Sequence, residues 1–211
     1  LASIAVPVFG PVQRKGPQTK ALSNARQIGM ACKLYAQDYN GNYPFYIDPI
    51  ERTGKPSDSN AIFATLIPDY ISDENIFGIA KSAYCRPGPD NNMNAGRRLE
   101  AGENEWSYII GLSDTSNGSF PLIASGCAPG GRNYVTDESN PGGAWEGKDA
   151  IVVNVDISAN IKRCKQRGQT AYIPRDDQPN KNLLDADPSA TPPWLTGNDV
   201  DVLNPKPGTG R

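Results

Sequence analysis

Histidine is absent from all 211 residues. That excludes Ser-His-Asp and Cys-His catalytic sets, zinc sites with histidine ligands, and haem held by histidine. A surplus of basic charge is missing as well. The 21 Lys+Arg against 23 Asp+Glu leave a net charge of -2, which supplies no positive field for nucleic acid or anionic lipid. No C-x-x-C pair occurs among the four cysteines, Cys32, Cys85, Cys127 and Cys164, so a zinc ribbon or a thioredoxin-type motif is excluded. Long hydrophobic runs are lacking too. The opening run from Leu1 to Phe9 is almost wholly apolar but falls far short of the ~20 residues that span a bilayer.

Glycine and proline are abundant instead, with 21 and 19 residues against only 37% hydrophobic residues. A chain of this composition has a modest core and many loops. Widely spaced cysteines in even number, in a loop-rich chain, fit two disulfides formed in an oxidising compartment. Three connectivities are open. The pairing preferred here is Cys85 with Cys127, both in loops that border the expected sheet, which leaves Cys32 to meet Cys164.

Three stretches follow one another along the chain. Residues 1–16 form an apolar arm interrupted by Pro7, Gly10-Pro11 and Gly16, so an irregular or kinked segment is expected from Pro7 to Gly16. Residues 17–165 read as a globular domain. It starts with a helix from Pro17 to Tyr39, where Leu22, Ala25, Ile28, Cys32, Tyr35 and Tyr39 recur at steps of three and four. Asn40-Gly41 supplies a left-handed stop. A shorter helix fits Asn60 to Leu66. Strand patterns then take over: Glu105 to Leu112, Ser119 to Ser125, Ala150 to Val155, and a return through Ile161 to Cys164. Helix first and strands later predict an α+β fold with an antiparallel sheet. Residues 166–211 read as a long irregular tail, whose scattered Tyr172, Leu183, Leu184, Trp194 and Leu195 would anchor it on its own sheet or on a neighbouring subunit.

The run Leu1-Ala-Ser-Ile-Ala-Val-Pro-Val-Phe9 is followed by Leu22-Ser-Asn-Ala-Arg-Gln-Ile-Gly-Met30 and Leu34-Tyr-Ala-Gln-Asp-Tyr-Asn-Gly-Asn-Tyr-Pro44. Together they resemble the bacterial type IV pilin-like and pseudopilin proteins, in particular the branch common in planctomycetes and verrucomicrobia. Weaker likeness continues through Leu66 to Tyr70, Trp106 to Tyr108, Gly111 to Asp114 and Pro121 to Ala124. The resemblance implies a pilin-like fold, with an N-terminal helix packed on a small antiparallel sheet. It also implies a structural subunit of a type IV pilus-like or type II secretion pseudopilus-like filament rather than an enzyme. Its expected partners are further copies of the chain in a helical homo-oligomer and the inner-membrane assembly machinery. Its expected location is the cell surface or extracellular space, after a precursor stage in the bacterial inner membrane. Leu1, Ile4, Val6, Val8, Phe9, Leu22 and Ile28 would be the assembly residues. The family's processing glycine and early glutamate are absent, so the chain is expected to begin partway down the family's helix. Glu146 stands in place of a histidine frequent in that branch, and after Asp156, Ile157-Ser158 replaces its Gly-His.

Other readings carry less. The loops Asp90 to Asn92, Asp114 to Asn117 and Asp137 to Asn140 offer the hard oxygens that calcium takes. No EF-hand spacing is present, however, and these are ordinary turn residues, so no cofactor is expected, with calcium the one metal kept open. Glu103 with Glu105, or Asp176 with Asp177, could serve as a glycosidase-like pair, but such pairs are common by chance in loops and nothing in the sequence indicates a cleft. As nucleophiles, Ser125 and Ser158 have no histidine to activate them. Trp106, Trp145 and Trp194 suit either sheet packing or a carbohydrate platform. The alternative to a filament subunit is therefore a minor pilin or secreted adhesin that binds carbohydrate or a surface, with a secreted hydrolase behind it.

Overall fold

The computed structural model describes residues 10–45, 54–197 and 199–209. Its first element, α1, runs from Gly10 to Asp38. The expected break before Pro17 is therefore corrected over residues 10–16, which are helical, while Pro7 to Phe9 lie outside the described residues. Pro11 sits in the first turn, where its missing N–H had no intrahelical partner to lose. Pro17 lies inside the helix and deletes one backbone bond. The neighbouring turn is held by Thr19 Oγ1, which donates to the Lys15 carbonyl at 2.8 Å. At the other end Asn40 adopts φ +54°, and the Gly41 N–H closes on the Ala36 carbonyl at 2.7 Å. This is the left-handed C-terminal cap that Asn-Gly favours.

The buried face of α1 is built mostly from small side chains: Ala21, Ala25, Ile28, Ala31, Cys32 and Ala36. Small residues let the helix axis approach the sheet closely. At Gly29 the approach is closest, since a Cβ there would lie 2.8 Å from Val153 Cγ1. Helix α2, Ser59–Phe63, starts at Asp58, whose side chain accepts the Ala61 N–H, and continues as a 3-10 turn, Ala64–Leu66. A second 3-10 turn, Glu74–Phe77, is capped in the same way by Asp73.

The strands are β1 Trp106–Ile110, β2 Pro121–Ser125, β3 Tyr134–Val135, β4 Asp149–Asn154, β5 Ala159–Arg163, β6 Lys165–Arg167, β7 Thr170–Tyr172 and β8 Asp201–Leu203. Five of them form an antiparallel sheet in the order β5-β4-β2-β1-β8, and three form a small sheet in the order β3-β7-β6. Trp106 pairs with Ser125, Tyr108 with both Ile123 and Leu203, and Ile151 with Ile161. Strands β1 and β2 are buried at every residue, as befits strands in the middle of the larger sheet. Helix α1 crosses β4, β5 and β2 on one side of this sheet.

The expected tail is more structured than its composition suggests. Residues 166–209 contribute to β6, supply β7, and send β8 back to pair with β1. Tyr172, Ile173, Leu183, Leu184 and Leu195 are buried within their own chain, so of the two docking places expected for these anchors they occupy the chain's own fold. The disulfide expectation is corrected as well. Cys32, Cys85, Cys127 and Cys164 are all free thiols, the first three buried and Cys164 partly exposed. Burial pushes Cys85, Cys127 and Cys164 up to about 12, and Cys32 higher still. Each cysteine occupies a packing position, where a thiol behaves as a small apolar group.

Candidate functional site

Three surfaces and one buried network stand out. The first surface is the outward face of α1. Met30 and Leu34 stand one turn apart and are 51% and 47% exposed, whereas most other large apolar side chains among the described residues are buried. Tyr39 is equally exposed at the helix end. It stacks on Tyr35 at 4.0 Å, and the Tyr70 hydroxyl donates to Asp38 Oδ2 at 2.7 Å. Tyr35, Asp38 and Tyr39 border a hollow of about 690 Å³ that Asn40, Asn42 and Phe45 also line.

The proposed assembly residues divide when placed on this helix. Ile28 is fully buried against its own core, and Leu22 packs partly against it. Neither belongs to the outward stripe. Leu1, Ile4, Val6, Val8 and Phe9 lie outside the described residues.

The second surface is a groove of about 420 Å³ beside Trp194, lined by Asn117, Asn154, Asn160, Lys162 and Asp177 among others. Its floor is organised by Arg175, which is 1% exposed. The Arg175 guanidinium lies 4.6 Å from the Trp194 ring centre, donates through Nε to Asp177 at 3.0 Å, and reaches Asp187 at 3.4 Å. Trp194 in turn meets Phe120 edge-on, and its Nε1 donates to the Leu183 carbonyl at 2.9 Å. Planar stacking together with fork-like donation is what a guanidinium does better than an ammonium. The Asp176 and Asp177 pair sits here, Asp176 bound by Lys162 and Asp177 by Arg175. The hydrogen bond from Arg175 holds Asp177 below the usual carboxylate range. Of the tryptophans, Trp106 and Trp145 are buried, Trp145 beside a small pocket of about 30 Å³ with Pro17, Gln18 and Lys81, and Trp194 borders the larger groove.

A third, shallower hollow of about 330 Å³ lies where Lys55, Arg132 and Asp201 meet. Lys55 and Arg132 both pair with Asp201, so its charges are mutually satisfied.

The buried network centres on Glu105, immediately before β1. Its carboxylate accepts from the Ser82 hydroxyl and from the Gly126 N–H at 3.3 Å. Burial pushes the Glu105 carboxyl up to about 8. Glu103 is also buried and is pushed up to about 7, first by desolvation and then by neighbouring carboxylates. Neither residue lines any of these three surfaces. The loop acids are turn formers as placed. Asp137 accepts from Ser139 N–H at 2.9 Å, and Asp156 from Ser158 N–H at 2.8 Å. Sequence reasoning passed over Arg175 and Glu74. Nothing in a Pro- and Asp-rich segment marks Arg175 as buried, and nothing in the sequence around Glu74 marks its carboxylate as buried either.

With its N-terminal helix and antiparallel sheets the chain belongs to the mixed helix-and-sheet class. No known family, curated protein or solved structure matches it.

Proposed function

We propose that the protein is a structural subunit of a type IV pilus-like or pseudopilus-like filament, with a pilin-like fold, assembled through α1. The observation that carries this reading is the outward face of α1, where Met30 and Leu34 stay half exposed on a helix whose opposite face is already packed. Burial in a second copy contributes about 1 kcal/mol for each, because roughly half of each side chain is still in water. The apolar run from Leu1 to Phe9 precedes the same helix in sequence and would extend such a contact.

The test is sedimentation and electron microscopy of the intact chain beside a Met30→Glu, Leu34→Glu double variant. The intact chain is expected to form elongated oligomers, and the variant a folded monomer with the same circular dichroism. A dispersed, monomeric intact chain sinks the filament reading.

The groove beside Trp194 favours a second reading, a minor pilin or adhesin that binds carbohydrate. Amides and charges around one aromatic ring are the usual chemistry for sugar hydroxyls and apolar sugar faces. Retention on a glycan array, lost in an Asn160→Ala, Lys162→Ala variant that keeps its fold, is the expected result. Absence of any glycan retained by the intact chain counts against it.

A further inference from the structure

Glu74, Asp90 and Glu103 come from three separate segments and converge. Glu74 opens the 3-10 turn Glu74–Phe77, and its backbone N–H donates to Asn91 Oδ1 at 2.9 Å, which pins the 90–92 loop beside it. Glu103 precedes β1 and accepts from the Glu100 N–H. A carboxylate oxygen from each of the three residues lies within 4.8 Å of the others. No lysine or arginine pairs with any of them among the described residues.

A cluster of acids is ordinarily no more than that, but here a second observation points to a missing positive charge. Glu74 is fully buried. Its Oε1 accepts from the Leu99 N–H at 2.5 Å, whereas its Oε2 is buried with no hydrogen-bond partner. An unpaired buried carboxylate oxygen is costly, and native structures avoid it unless something fills the place. Glu103 is buried beside it, while Asp90 is exposed, so the cluster is closed on two sides and open to water on the third.

We propose that Glu74, Asp90 and Glu103 form a binding site for a divalent cation, calcium. The donor set consists of hard oxygens only, which suits calcium or magnesium and disfavours the softer transition metals. Calcium takes oxygens at ~2.4 Å in a flexible cage, whereas magnesium demands near-ideal octahedral geometry at ~2.1 Å and keeps several of its own waters. Irregular loops give the flexible geometry that calcium accepts. Water entering past Asp90 completes the six to eight ligands that calcium takes. The ion would join the 3-10 turn, the 90–92 loop and the approach to β1.

The test uses the full chain, stripped with a chelator, at pH 7.5. Thermal unfolding and titration calorimetry are recorded with calcium chloride and separately with magnesium chloride. A hundredfold excess of calcium over its Kd is expected to raise Tm by about 5–10 °C. Asp90→Asn, at an exposed position that does not endanger folding, should weaken calcium binding about tenfold or more, and Glu103→Gln should abolish the response. No calcium-dependent heat or shift up to 10 mM (roughly tenfold above the weak end of natural calcium sites, about 1 mM) overturns the proposal, as does a shift that persists unchanged in both variants. An equal response to magnesium overturns the assignment to calcium.

Discussion

Replacing Glu105 by Gln is expected to stabilise the protein, by an amount that grows with pH. In the folded chain burial raises this carboxyl from 4.5 to about 8. Between those values the folded state keeps a proton that the unfolded chain releases, so native stability falls as pH rises. The loss proceeds at up to ~1.4 kcal/mol per pH unit. It reaches about 3 kcal/mol at pH 7 and levels off above pH 8 at about 5 kcal/mol. Glutamine has no proton to lose. Its carbonyl can still accept from the Gly126 N–H, and its amide can donate to Ser82 Oγ, so the shape and connections of the site survive. Urea unfolding of both proteins from pH 5 to 8.5 measures the effect. The variant should match the parent near pH 5 and exceed it by about 3 kcal/mol near pH 7. Glu103, pushed up to about 7, gives a slope of the same sign in both proteins and cancels when they are compared at each pH. Asp177, Asp187 and Asp201 are held below the ordinary carboxylate range. Their stabilisation is lost only as pH falls through the acid range below the titration of free aspartate, outside this window. A stability difference between variant and parent that does not change with pH would refute the argument.

Gly29→Ala gains up to about 1 kcal/mol of helix propensity, but the new methyl would meet Val153 Cγ1 at 2.8 Å. Val153 is itself fully buried and has no room to turn away. A net loss of about 1 kcal/mol is expected in urea unfolding, with a much larger loss for Gly29→Leu; a stabilised Gly29→Ala would show that α1 stands further from β4. For the cysteines, a thiol reagent should react slowly with the native protein, Cys164 first because it alone is partly exposed, since burial keeps the thiolate scarce. After unfolding without reductant all four should react; fewer would indicate a disulfide.

What the sequence determined by itself was the order and type of the elements. The three-and-four spacing from Leu22 to Tyr39, the Asn40-Gly41 stop and the β-branched run after Ala150 are local signals, and local signals survive whatever packs around them. Helix before antiparallel strands followed from them. The start of α1 did not, because Gly16-Pro17 weakens a helix only by an amount that the Lys15 to Thr19 bond and tertiary contacts can offset. Pairing of Cys32, Cys85, Cys127 and Cys164 was equally beyond reach, since spacing along the chain carries no distance in space. Tertiary structure alone decided the rest. It drew the polar segment after Gln166 into the core by seating Arg175 on Trp194 between two aspartates, and it returned β8 to β1 across nearly half the chain. It also gathered Glu74, Asp90 and Glu103 from three separate stretches of the chain. Each of these depends on long-range contact, and burial of a charged group is set by what surrounds it in space rather than by its neighbours in sequence.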